Sequence, residues 1–129
     1  MVEEELYFYK AKCYYVTDGD TIKAHVNLGY KVIIDITIRF MGINTPETRT
    51  RDLDEKKKGF AAKQRLIDIL KLNDYNFYLK SHGVGKFGRC LGEVFVEKIS
   101  DSASEELICV NKQLITEGHA VEYYGGKRK

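Results

Sequence analysis

The chain has no tryptophan, a single proline and three cysteines in 129 residues. Cys13, Cys90 and Cys109 lie far apart, form no CxxC pair and match no zinc spacing. Their odd number fits a reducing compartment better than a disulfide framework. No apolar run approaches the length of a membrane span, so no membrane partner is expected. Charge of one sign is missing too. With 21 basic and 19 acidic side chains the formal net charge is +2, so any affinity for a polyanion must come from local clustering. The first residues, Met1-Val2-Glu3-Glu4-Glu5, are acidic where an export signal is basic and then apolar, and the expected location is cytoplasmic.

What is present is enough for one core. A 43% hydrophobic fraction and this length suit one domain over residues 1–129. The first half reads as strands. Ile22, Ala24, Val26 and Leu28 alternate with Thr21, Lys23, His25 and Asn27, as a half-buried strand requires. A turn near Gly29 follows, and Ile34, Ile36, Ile38 and Phe40 then alternate with Asp35, Thr37 and Arg39. The Tyr7-Phe8-Tyr9 and Tyr14-Tyr15 runs suit a barrel wall. A helix is predicted to begin at Asp52 or Asp54, either of which can cap it, with Ala62, Leu66, Ile69 and Leu70 on its apolar stripe. Strands follow at 76–80 and 91–96 around a glycine-rich loop over 81–88, then a second helix over 105–117 stopped by Gly118. The order β-β-β-α-β-β-α predicts a mainly β, α+β fold: a five-stranded Greek-key barrel capped by two helices.

Four segments carry chemistry: Asp18-Gly19-Asp20-Thr21 in a turn, Arg39 at a strand end, Asn44-Thr45-Pro46-Glu47-Thr48 directly after it, and Lys86-Phe87-Gly88-Arg89. Together they suit phosphodiester hydrolysis. The phosphodiester is anionic and repels hydroxide, so charge must be neutralised before water attacks. Carboxylate, amide and backbone oxygens hold a hard cation. Arginine forks bind phosphate oxygens, and a glutamate can take a proton from water. His25, His82 and His119 include no pair at ligand spacing, and this chemistry needs no imidazole.

In these segments, in their order and spacing, the chain resembles the staphylococcal nuclease family from about Tyr14 to Tyr124. The late Val110-Asn111 and Gly118 belong to the same pattern. The resemblance implies an oligonucleotide-binding (OB) barrel and a calcium-dependent endonuclease acting on DNA and RNA. It implies little sequence specificity and 3′-phosphate ends. It makes Asp20, Asn44 and the Thr45 carbonyl ligands of one Ca2+, and Arg39, Glu47 and Arg89 the catalytic set. Lys86, Phe87 and Tyr124 become substrate contacts. The expected partner is nucleic acid, single-stranded by preference, bound by a monomer. Asn44 stands where the family usually has a second aspartate, which weakens the metal site and keeps open an alternative, a nucleic-acid-binding module of low activity. The chain continues past Gly118 only through Tyr124 and Gly125-Gly126 to Lys127-Arg128-Lys129, similar to short, phage-borne forms of the family.

Overall fold

The computed structural model describes residues 6–85, 88–100 and 106–123. Lys86, Phe87 and Tyr124, expected to contact substrate, lie outside the described residues, as does the basic 127–129 end.

Three long antiparallel strands open the chain: β1 (Phe8–Asp18), β2 (Thr21–Gly29) and β3 (Val32–Phe40). After the two-residue β4 (Ile43–Asn44) comes helix α1 (Leu53–Leu72). Then follow β5 (Asn76–Val84), β6 (Cys90–Val96), β7 (Ile108–Cys109), helix α2 (Val110–Thr116) and β8 (Val121–Glu122). The main sheet runs β3-β2-β1-β5-β6-β7, and a parallel β3–β6 pairing closes it. The closed unit is a five-strand barrel of β1, β2, β3, β5 and β6 with two helices, the predicted OB type. β4 and β8 pair separately as a small second sheet.

Alternation places the core. Ile22, Ala24 and Val26 point inward with Ile38 and Phe40, and all are essentially inaccessible to water. Asp52 caps α1, its carboxylate accepting from the amides of Asp54 and Glu55 at 3.0 and 3.2 Å, which satisfies donors the first turn leaves open. Ala62, Leu66, Ile69 and Leu70 form the buried stripe, while Lys56, Lys57 and Lys58 face solvent. Asn111 of α2 ties strands together from inside. Its Oδ1 accepts from the Val94 amide at 3.0 Å, and its Nδ2 donates to the Met41 and Gly92 carbonyls at 2.8 and 3.1 Å.

Three expectations need correction. The second helix begins at Val110, because Ile108 and Cys109 pair with Val96 and Phe95 as β7. Leu107, at helical spacing, is exposed. The loop expected from Ser81 instead continues β5 to Val84. Tyr14 and Tyr15 are not buried in the wall: a register shift in β1 between Cys13 and Tyr15 turns both outward, 48% and 52% exposed.

Candidate active site

Strand pairing brings the chemistry-bearing segments to one end of the barrel. Thr21 pairs with Arg39 across β2 and β3, so the Asp18–Thr21 turn meets the end of β3. Ile38 pairs with Cys90 and Arg39 with Leu91 across the parallel closure, which puts Arg89 beside the same strand end. One cleft of about 370 Å3 is lined by Asp18, Asp20, Arg39, Asn44, Thr45 and Glu47, together with Thr48, Arg49 and Arg89.

Asp20 is the most constrained of the acids. It is buried, and its Oδ1 accepts from the Thr21 hydroxyl at 3.0 Å. Its Oδ2 accepts from the Thr45 amide at 3.0 Å and lies 3.4 Å from Arg39 Nη1. Fixing the carboxylate in this way removes most of the rotamer entropy a ligand would otherwise have to freeze.

Arg39 is held by backbone as much as by charge. Nη1 donates to the Phe40 carbonyl at 3.0 Å. Nη2 donates to the Ile43 carbonyl at 3.0 Å and to Asn44 Oδ1 at 3.1 Å. A guanidinium has only donors, so this bond also sets which side of the Asn44 amide is oxygen. Asp18 accepts from the Thr48 hydroxyl at 2.6 Å, clipping the oxygen-rich loop to the turn.

Helix α1 fixes that loop from below. A Cβ on Gly59 would lie 2.5 Å from the Glu47 carbonyl oxygen and 2.8 Å from that of Pro46. Only a residue without a side chain lets the helix approach so closely. Gly19 makes a similar approach: a Cβ there would come within 2.8 Å of Ala62 Cβ and 3.1 Å of Thr45 Cγ2. The glutamate and the carboxylate turn are therefore set against one rigid helix. Neither glycine contact was legible in the sequence. Glycine at position 59 inside a helical pattern was the available signal, since it costs helix stability unless packing requires it.

A family model described as "Staphylococcal nuclease homologue" matches residues 37–129. The chain belongs to this family. No curated protein matches the chain. Membership gives this staphylococcal nuclease homologue a nuclease-like function directed at nucleic acid. The match begins at Thr37, so it takes in Arg39, Asn44, Thr45, Glu47 and Arg89 but not Asp20. It is the β2–β3 register that adds Asp20 to the same cleft.

The donor chemistry of the homologue's cleft fits a hard divalent cation. Asp20 supplies carboxylate and Asn44 an amide oxygen, and Thr45, whose amide donates to Asp20, carries a backbone carbonyl in the same lining. Thr17, on the same wall, has a buried hydroxyl with no hydrogen-bond partner among the described residues. All of these are oxygen donors of the kind calcium takes. Negative charge is sparse, and among the described residues no three His, Cys, Asp or Glu side chains cluster as a ligand group. The cleft's titratable lining is balanced, with Asp18, Asp20 and Glu47 facing Arg39, Arg49 and Arg89. A bound divalent cation would tip that balance to positive, which is the sign a phosphodiester requires.

A second, more apolar groove of about 410 Å3 adjoins the first, sharing Arg39 and Arg89 and adding Met41, Leu91 and Tyr123. Tyr123 was not singled out in the sequence; its neighbour Tyr124 was. The Tyr123 amide donates to the Gly42 carbonyl at 2.9 Å, which brings the segment after β8 to the groove.

Proposed function

We propose that this protein is a calcium-dependent endonuclease that hydrolyses phosphodiester bonds of DNA and RNA, acting on single strands by preference and leaving 3′-phosphate ends. One observation carries the reading: Asp20, Asn44, Thr45, Arg39, Glu47 and Arg89 line a single open cleft. An oxygen-donor set, two arginines and an acid are thereby within reach of one ligand.

Asp20, Asn44 and the Thr45 carbonyl would hold the ion. When bound, calcium neutralises phosphate charge and polarises the phosphoryl oxygens. Arg39, held through both Nη atoms by four carbonyl-type oxygens, of Asp20, Phe40, Ile43 and Asn44, brings a fixed charge and its Nε–H to the phosphate at little reorganisation cost. Arg89 sits on the neighbouring strand end, where it can donate to an equatorial oxygen and to the departing 5′-oxygen. Glu47, exposed at the rim, accepts a proton from the attacking water as its oxygen bonds to phosphorus. The P–O5′ bond breaks and the 5′-oxygen takes up a proton from solvent water, leaving phosphate on the 3′ side. The apolar groove with Tyr123 and Leu91 accepts a nucleobase by its face, which any base satisfies, so sequence preference is weak.

The Asn44–Arg39 bond favours a second reading. With the Asn44 oxygen already accepting from a cation and carrying no charge, the ion is held weakly, and the protein acts as a nucleic-acid-binding platform with slow turnover. Incubation with single-stranded DNA and with RNA, in calcium or in chelator, separates the two. Calcium-dependent cutting that Arg39→Ala abolishes supports the enzyme. Binding without cutting at any calcium concentration supports the platform.

A further inference from the structure

The register shift in β1 that turns Tyr14 and Tyr15 outward also opens a groove between β1 and α1. This groove, about 390 Å3, is lined by Tyr14, Tyr15, Tyr75, Lys63 and Ile67 over Cys13 and Val16. It lies outside the catalytic cleft but is joined to it along two elements. On β1, Thr17 lines the cleft and Tyr15, two residues back, lines the groove. On α1, Gly59 packs against Pro46 and Glu47, and Lys63 follows one turn later on the same face, about 6 Å along the axis.

The tyrosines are held rather than loose. The Tyr14 hydroxyl donates to Asp35 Oδ1 at 2.6 Å, and its ring stacks on His25 with centroids 4.6 Å apart. Lys23 Nζ sits 5.6 Å from the centre of the Tyr15 ring. The charged exposed side chains of β1 and β2 on this sheet face are Lys10, Lys12 and Lys23, set among the exposed His25 and Asn27, and the one acid across on β3, Asp35, is engaged by Tyr14. Half-exposed aromatic rings fixed in place, interleaved with lysines and continuous with a phosphodiester cleft, are the features that bind a flexible polyanion with flat bases.

We propose that this groove is an exosite for single-stranded nucleic acid. It takes a base of the strand lying beyond the scissile nucleotide against Tyr14, Tyr15 and Tyr75. Lys63 and Lys23 contact the adjoining phosphates. The proposal rests on the nucleic-acid reading above and deepens it: the enzyme prefers long single strands because a second patch holds them.

The test uses the full chain with the double substitution Tyr15→Ser and Lys63→Ala. Binding of a fluorescent single strand of about 16 nucleotides, the upper site size of a fold of this kind, is followed by anisotropy in chelator, where no cleavage is required. The expected result is about tenfold weaker binding, of the order of one lost base stack. Lys63→Ala alone lowers the slope of log affinity against log salt by about 0.7, one phosphate contact. In calcium, KM for the long strand rises while kcat, and both constants for a dinucleotide, stay at wild-type values. Long-strand affinity within twofold of wild type overturns the proposal. So does equal loss on long and short substrates, which would place these residues in the cleft. If the protein cuts neither substrate, the catalytic reading fails, and the anisotropy comparison still decides the exosite. Lys63→Glu, a change on a half-buried helical surface, gives the same comparison if the double variant fails to fold.

Discussion

The side-chain oxygen of Asn44 accepts a hydrogen bond from Nη2 of Arg39 at 3.1 Å. Arg39 Nη1 is at the same time 3.4 Å from the Asp20 carboxylate, so the guanidinium reaches both side chains expected to hold an ion. A neutral amide here lets the arginine keep its place with one carboxylate fewer in the cleft.

Asn44→Asp therefore raises calcium affinity. Two unit charges about 4 Å apart interact by about 4 kcal/mol at an effective dielectric near 20, and an open cleft screens much of that. At least a tenfold fall in the calcium dissociation constant is expected, measured by isothermal titration without substrate. An unchanged constant removes Asn44 from the ligand set.

Gly59→Ala separates positioning from chemistry, because Gly59 touches the Glu47 backbone and not the substrate. The added methyl meets two carbonyl oxygens inside 3 Å, so the 46–47 segment must move. A loss of about 100-fold in kcat is expected, since small displacements of a reacting group cost that much, with destabilisation of about 1–3 kcal/mol from overpacking. Kinetics and urea melts on the same preparation check both. Wild-type kcat would show that the loop's position against α1 does not matter to the reaction.

Much of the barrel was legible in the sequence because strands of period two announce themselves. Ile22, Ala24, Val26, Ile38 and Phe40 could be placed inward from alternation alone, and Asp52 could be named as one of two caps. The short strands β4, β7 and β8 are two residues each and carry no period to read. The start of α2 was misplaced because Leu107 fits a helical repeat, whereas pairing of Ile108 and Cys109 with β6 decides the backbone. At the site, residue types could be named from the four segments. What could not be read was how Arg39 is held: its acceptors are mostly backbone carbonyls, of Asp20, Phe40 and Ile43, and backbone groups leave no mark in a sequence.

Asn111→Ala tests the internal tie between α2 and the barrel. It removes three hydrogen bonds and leaves the Val94 amide and the Met41 carbonyl facing a buried gap, while the Gly92 carbonyl keeps the Met41 amide at 2.8 Å. Each unsatisfied buried group costs roughly 1–3 kcal/mol. A total loss of about 3 kcal/mol or more is expected in chemical denaturation. A loss under about 1 kcal/mol would show that these groups find other partners.

Acid stability depends on Glu117. The Arg65 guanidinium, bonded to it at 2.5 and 2.9 Å, holds the Glu117 carboxyl below its ordinary value of 4.5, and Gln113 helps. A depressed folded value means the unfolded chain binds the proton more readily. The pair's contribution is thus full above about pH 4.5 and fades as pH falls through the folded value. Melting temperatures from pH 7 to 3 should fall less steeply for Glu117→Gln than for the parent, from a lower starting point at neutral pH. Parallel curves would mean that Glu117 carries no acid sensitivity.

The most direct test of the shared cleft is the rate of calcium-dependent hydrolysis of a single-stranded oligonucleotide by Arg39→Ala and Arg89→Ala, with melting temperature recorded for each. If both arginines address one phosphate, each variant loses at least about 100-fold, the usual cost of removing a transition-state donor, while remaining folded. Cleavage by either folded variant within threefold of the parent would contradict the account.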